Sequence, residues 1–262
     1  MTTPSFEDLR VDLDGAVATV TIDRPARKNA ATTTTWRELG KAFRWATDEP
    51  AVRVVVVTGA GDAFCSGADL SGGLGEPDMA GLPGMRLVSD ACLALHRLPK
   101  PAIARVNGVA AGAGMNLALG CDLIVASSTA RFSEIFARRG LSVDFGGSWL
   151  LPRLVGLHRA KELVLLADII TADEAERLGL INRVVPPDEL DAVVSEWAAR
   201  LAAGPPVALA SSKRMLNDSF GRSMDEALEH EARSQVINLA TEDVREAISA
   251  FFAKRDPHFQ GR

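Results

Sequence analysis

The chain has 262 residues, of which 47% are apolar and 24% are charged, and its formal net charge is −5. This composition is ordinary for a globular protein and excludes a disordered or collagen-like chain. The acidic balance, with no long Lys/Arg run, argues against a nucleic-acid surface. The start lacks the regions of a signal peptide, and no apolar stretch approaches the roughly 20 residues that cross a bilayer. We therefore expect a soluble, cytoplasmic protein whose three widely spaced cysteines form neither a disulfide framework nor a metal site.

The N-terminal residues predict a hairpin followed by a helix. Leu9–Leu13 and Ala16–Ile22 flank Asp14-Gly15, a strong signal for a tight turn between strands. Thr35 and Glu38 have the spacing of a capping box, which predicts a helix start. The apolar positions that follow are three and four residues apart, as on one buried helical face. They are Trp36, Leu39, Phe43 and Ala46.

Three buried strands are predicted in the middle of the chain. Val54–Val57 is a solid apolar run that suits a strand covered on both faces. Ala102–Val106 and Leu123–Ala126 are shorter runs of the same kind. A helix precedes the second strand, and the rhythm of strand, helix and strand indicates an α/β domain of stacked units. The apolar stripe of that helix is Met85, Val88, Cys92 and Leu95.

Beyond about Leu150 we expect helices only. Thr171 with Glu174 and Ser223 with Glu226 have capping-box spacing. The last helix carries an apolar stripe that suits either the core or a contact between subunits. Its members are Val244, Ala247, Ile248, Phe251 and Phe252.

Three loops of small residues each adjoin a predicted strand: Phe64–Leu70, Asn107–Asn116 and Gly140–Trp149. Such loops let backbone N–H groups approach a ligand without a side chain in the way. The first two also have a purely structural interpretation, as a turn capped by Asp69 and a helix start capped by Asn116. The second loop is not the G-x-G-x-x-G of a dinucleotide site, and it lacks the Gly-Lys-Ser/Thr of a phosphate loop.

The third loop contains a carboxylate in an apolar setting. Asp144 lies among Val143, Phe145 and Trp149. Burial there would raise the pKa of Asp144 and make it a better base near neutral pH. The alternative is a helix N-cap, since a helix can begin at Gly146–Trp149. These two roles stay open at this point.

In this order and spacing, the three loops resemble those of the enoyl-CoA hydratase/isomerase (crotonase) superfamily. The resemblance extends over nearly the whole chain. Arg24–Ala30 is similar to the family's first CoA-binding loop, Leu151–Gly156 to the segment after its active site, and Phe251–Phe259 to its C-terminal end. The resemblance implies an α/β fold, a crotonase-like spiral of β-β-α units over residues 1–195. A C-terminal helical trimerisation region would follow over residues 196–262.

Carried over by position, the resemblance implies an oxyanion hole made by the backbone N–H groups of Ala68 and Ala113. It implies an acyl-CoA thioester as substrate, no metal or redox cofactor, and a homo-oligomer that is a trimer or a dimer of trimers. No nucleic-acid or membrane partner is expected. Two residues of the C-terminal region, Phe251 and Lys254, would reach the CoA moiety from the same subunit or from another. The residues that would line the CoA moiety are Ala26, Lys28, Ser66, Asp69, Leu70, Phe251 and Lys254.

The chain departs from family hydratases at the two glutamates that deliver water. These positions correspond to Asn116 and Phe136, neither of which transfers a proton near pH 7. Both are expected to line the acyl pocket instead. Asp144 matches the single acid/base carboxylate of the superfamily's double-bond and ring-epoxide isomerases.

We therefore expect an isomerase in which Asp144 shuttles the proton. Two alternatives stay open: another reaction of the superfamily, such as hydration with an atypical site, and a catalytically inactive acyl-CoA-binding protein. Glu134 competes with Asp144 as base, although a glutamate at a strand end is more often solvated. The glycine-rich segment Ser71–Gly84 is expected to form a wall of the acyl pocket.

Overall fold

The computed structural model describes residues 3–70 and 81–262, which form two sheets surrounded by helices. The strands in these residues are β1 Leu9–Asp14, β2 Val17–Ile22, β3 Val54–Gly59, β4 Ala63–Cys65, β5 Ala102–Val106, β6 Val109–Ala111, β7 Leu123–Ser127, β8 Arg131–Ser133, β9 Ile170–Thr171 and β10 Arg183–Val185. The helices there are α1 Thr33–Asp48, α2 Gly81–His96, α3 Ala113–Leu119, α4 Gly147–Leu166, α5 Ala172–Arg177, α6 Leu190–Ala202, α7 Pro206–Asp218, α8 Met224–Ala240 and α9 Glu242–Ala253.

The larger sheet has the strand order β1-β2-β3-β5-β7-β10. The predicted hairpin is confirmed as the antiparallel pair β1 and β2, and the remaining neighbours are parallel. All six residues of β3 are buried. Val55 and Val57 pack in one apolar cluster with the α1 stripe, whereas Val54 and Val56 pack in a second cluster with α6. Because β3 is covered on both faces, an unbroken run of valines suits it.

The smaller sheet has the order β4-β6-β8-β9, and β4, β6 and β8 run parallel. Cys65 pairs with Ala110, and Ala111 pairs with Ser133. The carboxyl ends of three neighbouring strands therefore meet at one edge of this sheet. Ligands of parallel α/β sheets commonly bind outside the carboxyl ends of strands, so this edge is where a site is expected.

The predicted cap of α1 was wrong by three residues. The Thr32 hydroxyl accepts from the Thr35 N–H at 3.1 Å, and the Thr35 hydroxyl accepts from the Thr32 N–H at 2.9 Å. Glu38 is occupied elsewhere, because its carboxylate accepts from the N–H groups of Glu7 and Asp8, each at 2.9 Å. A run of threonines offers several possible caps, and tertiary contacts decide among them.

The expectation of helices alone after Leu150 was also wrong. β9 pairs with β8 in the smaller sheet, and β10 pairs with β7 at the edge of the larger one. Both strands have three residues or fewer, too short to show a periodic pattern. In the same way, the loop predicted over Asn107–Asn116 contains the short strand β6.

The C-terminal residues are helical, as predicted. The expected boundary between residues 195 and 196 falls inside α6, whose Val193, Val194 and Ala198 pack together against the larger sheet. Apolar side chains of α8 and α9 are exposed, including Val236, Ile248 and Phe252. No helix in the described residues is both long and apolar enough to span a membrane.

The buried stripe of α1 yields a stability prediction. Leu39 is 0% exposed, whereas Leu165 on α4 is 69% exposed. We expect Leu39→Ala to lower the free energy of unfolding by about 2–5 kcal/mol, because it leaves a cavity in the core. Leu165→Ala, the same chemical change on the surface, should stay within about 0.5 kcal/mol of the parent. Urea unfolding followed by circular dichroism measures both, and equal effects would contradict the assignment of the core.

Candidate active site

Three of the sequence-predicted residues come together at the edge of the smaller sheet. Ala68 lies three residues after Cys65, Ala113 two residues after Ala111, and Glu134 directly after Ser133. Because β4, β6 and β8 are neighbours and parallel, the loops that follow them leave the sheet side by side. The sheet thus brings the first and second small-residue loops into contact.

Two glycines allow these loops to pack backbone against backbone. A β-carbon on Gly67 would lie 2.9 Å from the carbonyl oxygen of Ala111, and one on Gly114 would lie 2.1 Å from that of Cys65. Gly67 also has a φ of +98°, where a side chain is strained. The close approach of the loops therefore requires glycine at both positions.

The hydrogen bonds around Ala68 orient its amide. The Ala31 N–H donates to the Gly67 carbonyl at 2.8 Å, and the Asp69 N–H donates to the Ala31 carbonyl at 2.9 Å. Peptide groups alternate in direction along extended chain, so the N–H of Ala68 points away from Ala31. Ala68 itself is exposed.

The amide of Ala113 is a helix-terminal donor. Ala113 is the first residue of α3, after Gly112 with a φ of +54°. The first intrahelical bond of this turn is donated by Asn116, whose N–H reaches the Gly112 carbonyl at 3.1 Å. N–H groups earlier in the helix have no partner within it, and they favour negative charge.

Asp144 is not the N-cap of α4. That position is occupied by Gly146, and no side chain caps the helix. The Asp144 carbonyl accepts from the Gly147 N–H at 2.9 Å, while its Oδ1 is buried without a hydrogen-bond partner. Burial raises the pKa of the carboxyl to about 6. A base that titrates near neutral pH is suited to move protons from carbon.

The residue after Asp144 anchors the loop. Phe145 has a φ of +45° and is 3% exposed. Its ring packs against Trp36 of α1, with the centroids 5.3 Å apart and the planes tilted by 41°. A left-handed backbone at a bulky residue is costly and persists only where surrounding contacts hold it. Burial of this ring therefore fixes the direction in which the chain passes Asp144.

Glu134 was expected to be solvated, and that was wrong. Its side chain is 0% exposed, and its Oε2 accepts from the Asn116 Nδ2 at 3.3 Å. Burial and, to a smaller extent, the charge of Asp144 raise the pKa of Glu134 to about 8, although the Asn116 hydrogen bond opposes this. The sequence does not show the pairing of β8 with β6, which places Glu134 in the interior.

Asn116 and Phe136, the predicted acyl-pocket residues, are both buried. Asn116 is on α3, and its Nδ2 also donates to the Asp144 carbonyl at 3.0 Å. The Phe136 ring lies 3.5 Å from where a β-carbon of Gly112 would be. Both side chains therefore border the loop that presents the Ala113 amide.

Four of the predicted CoA-lining residues share the outer side of these loops. Ala26, Lys28 and Leu70 are exposed, and Ser66 is half-buried. The Ser66 N–H donates to the Lys28 carbonyl at 3.1 Å, which joins the predicted CoA-binding loop to the first small-residue loop. The Lys28 ammonium forms an ion pair with Asp62.

The other predicted CoA residues are placed differently. The Asp69 carboxylate turns toward Arg24, at 2.9 Å, and Arg24 also pairs with Asp8 at 3.3 Å. Phe251 and Lys254 are exposed at the end of α9. Among the described residues, no hydrogen bond, ion pair or ring contact joins either side chain to the predicted CoA-binding loop. Of the predicted pocket wall, residues 71–80 lie outside the described residues, and Gly81–Gly84 begins α2.

A large cavity borders the far end of the Asp144 loop, where Cys92 and Gly146 are among its lining residues. Its volume is about 1250 Å³, and it opens between α1, α2, α7 and the C-terminal residues. None of the predicted site residues line it. His96, Lys100, Trp149 and Lys213 are among the residues that do.

Known proteins are similar to this chain over nearly its whole length. Residues 12–262 match the family model for enoyl-CoA hydratase/isomerase. The 1,2-epoxyphenylacetyl-CoA isomerase of Escherichia coli K12 is 36% identical over 95% of this chain and 97% of its own. The crotonyl-CoA hydratase of Syntrophomonas wolfei is also 36% identical, over 97% of this chain and 98% of its own. The crystal structure of an enoyl-CoA hydratase from Bacillus anthracis superposes with a TM-score of 0.93 at 30% identity, covering 98% of this chain and 100% of the other.

The glycine contact between the loops can be tested directly. We expect Gly114→Ala to destabilise the fold by about 1–3 kcal/mol, because its β-carbon would meet the backbone of Cys65. Acyl-CoA binding should weaken as well, since the amides of the two loops would move apart. Gly221→Ala is the matched control, with nothing within 4 Å of the added carbon. Thermal unfolding measures the stability of both variants, and titration with an acyl-CoA measures their binding. Equal results for the two variants would contradict the interpretation.

Proposed function

The chain belongs to the enoyl-CoA hydratase/isomerase family, and we propose that it is a double-bond isomerase in which Asp144 alone carries the proton. It is an acyl-CoA enzyme by family membership. The observation that carries the finer proposal is a desolvated carboxylate, with an unpaired buried oxygen, tied through Asn116 to the helix that presents the Ala113 amide. The proposed substrate is a 3-enoyl-CoA and the product a 2-enoyl-CoA.

The mechanism needs one base and one anion site. Asp144 removes a proton from the carbon between the thioester carbonyl and the double bond. The electrons move onto the thioester oxygen, which accepts hydrogen bonds from the N–H groups of Ala68 and Ala113. Asp144 then returns the proton two carbons further along the chain, and the carbonyl re-forms. Every atom and electron is accounted for within substrate and side chain.

The two amides supply most of the stabilisation of the enolate. One such donor is typically worth about 3–4 kcal/mol in the transition state, because it is oriented before charge develops. The proposal needs no metal or redox cofactor, since the enolate is held by backbone N–H groups and no electrons leave the substrate.

A ring-epoxide substrate fits the same apparatus. The E. coli relative is named as an isomerase of 1,2-epoxyphenylacetyl-CoA. A proton shift beside a thioester and the isomerisation of an epoxide on a ring both need a stabilised enolate and a single carboxyl. We therefore propose ring-epoxide CoA esters as a second type of substrate.

Hydration is the second candidate, and Glu134 favours it. Hydration needs one group to activate water and another to protonate the carbon beside the thioester carbonyl. Asp144 and Glu134 are two buried carboxyls that share Asn116 as a neighbour. The relatives named as hydratases agree with this alternative.

We also propose that the active unit is a homo-oligomer. Ile248 is 55% exposed, and Phe251 and Phe252 are each 78% exposed on α9. An apolar face of this kind usually marks an interaction surface. In an oligomer, Phe251 and Lys254 would be available to the CoA loops of a neighbouring subunit.

The reaction is tested by offering 3-enoyl-CoA and 2-enoyl-CoA separately. We expect a conjugated product from the first and little hydrated product from the second. Asp144→Asn should lower kcat by about 10²- to 10⁴-fold, the usual contribution of a positioned base, while CoA-ester binding stays nearly intact. Asp12→Asn is the control, because its carboxylate is exposed on β1.

Three outcomes would contradict the proposal. Full activity in Asp144→Asn would remove Asp144 from the reaction. Hydrated product from 2-enoyl-CoA without isomerisation would favour the second candidate. Tight binding of both esters without turnover would identify an inactive acyl-CoA-binding protein.

The raised pKa of Asp144 gives a pH prediction. The carboxylate must be ionised to accept a proton, and burial raises its pKa to about 6. We expect kcat/KM to fall by roughly tenfold for each pH unit below that value, and to level off above it on this limb. An acidic limb near the ordinary pKa of 3.8 would show that the carboxyl is solvated. The profile is measured with the substrate that the wild-type chain converts.

A further inference from the structure

Three buried oxygens at the site have no hydrogen-bond partner in the part of the chain that the structure describes. Asn116 Oδ1, Glu134 Oε1 and Asp144 Oδ1 are all buried and lack hydrogen bonds among the described residues. Buried polar atoms are normally paired, so a cluster of unpaired ones calls for an explanation. The proposed reaction uses Asp144 but gives no role to Glu134.

Asn116 connects the two carboxyl residues. The two hydrogens on Nδ2 are both used, one toward Glu134 Oε2 at 3.3 Å and one toward the Asp144 carbonyl at 3.0 Å. The Asn116 side chain therefore cannot rotate without losing its hold on the Asp144 loop. Gly147 leaves room for this amide, because a β-carbon there would lie 2.4 Å from Nδ2.

We propose that Glu134 is a positioning residue for Asp144: as a neutral carboxylic acid it fixes the Asn116 amide, and through it the backbone that carries the base. This role rests on the proposed function. A neutral acid accepts from Asn116 through Oε2 and keeps its proton on Oε1. The site then holds a single negative charge, on Asp144, before the substrate binds.

The groups around Glu134 agree with a neutral side chain. From the loop before α4, Asp144 is the charged group that acts on it, and from α3 Asn116 is uncharged. From α2, Cys92 faces Asp144, and burial keeps the pKa of its thiol near 11, so it too is neutral. Arg138, on the turn after Glu134, pairs with Asp168 at 2.6 Å. No cation among the described residues acts on Glu134, so a second anion beside Asp144 would not be offset there, which disfavours ionisation.

Ionisation of Glu134 would stop the reaction. A carboxylate there would repel both ionised Asp144 and the enolate that forms beside the amides. The pKa of Glu134 is raised to about 8, so activity should be full below that value and fall as pH rises through it. The wild-type profile would then be bell-shaped, with Asp144 setting the acidic limb.

The test compares pH profiles of kcat for wild type, Glu134→Gln and Glu134→Leu. Glutamine keeps a neutral side chain that accepts from Asn116, so we expect a moderate loss at pH 7, less than about tenfold, and disappearance of the alkaline limb. Leucine removes the acceptor, so kcat should fall by about 10²-fold with little change in KM. Glu38→Gln alters a buried carboxylate outside the site, and it should keep the wild-type shape.

Infrared difference spectra supply a readout that does not depend on turnover. At pH 7, wild type minus Glu134→Gln should show the carbonyl band of a protonated carboxyl. An alkaline limb unchanged in Glu134→Gln, or a carboxylate band in its place, would overturn the inference. If wild type converted no enoyl-CoA at any pH, the proposed function would fail and the positioning role with it. The infrared band would still decide whether Glu134 is neutral.

Discussion

The site depends on backbone packed directly against backbone. Gly67 and Gly114 let the loops after β4 and β6 touch each other's carbonyl groups. A side chain at either position would separate the loops, and the amides of Ala68 and Ala113 are useful only if both reach one oxygen. The parallel strands beneath set the spacing of the loops, so the proposed anion site depends more on sheet register than on any functional side chain.

A different arrangement of the chain positions Asp144, the proposed base. The turn before α4 contains two left-handed residues, Phe145 and Gly146, and the helix begins without a side-chain cap. A capped helix would have used the carboxylate of Asp144 to satisfy its first N–H groups. Leaving that role to glycine keeps the carboxylate unpaired and raises its pKa. The contact of the Phe145 ring with Trp36 supplies the packing that holds this strained turn.

Sequence reasoning recovered most of the fold because its signals are local. The β3 valines, the α1 stripe and the Asp14-Gly15 turn each predict one element without knowledge of the rest. Sequence reasoning failed where a neighbouring strand determines the conformation. β9 and β10 are strands only because β8 and β7 lie beside them. Glu38 looked like a helix cap, but the N-terminal segment uses its carboxylate.

The same distinction applies to the site. The small-residue loops and Asp144 could be read from residue type and order. The burial of Glu134 could not, because it follows from the pairing of Ala111 with Ser133, a contact between strands far apart in sequence. The inward turn of Asp69 toward Arg24 likewise depends on a loop brought in from the start of the chain.

The two-sided burial of β3 has a consequence for how the molecule opens. Alternate valines of this strand belong to separate apolar clusters, one with α1 and one with α6. Detaching either α1 or α6 would expose one face of β3 to water. Local opening of one helix alone therefore costs a large free energy. The slowest-exchanging amide protons should therefore be those of β3, and their exchange should report global unfolding of the molecule.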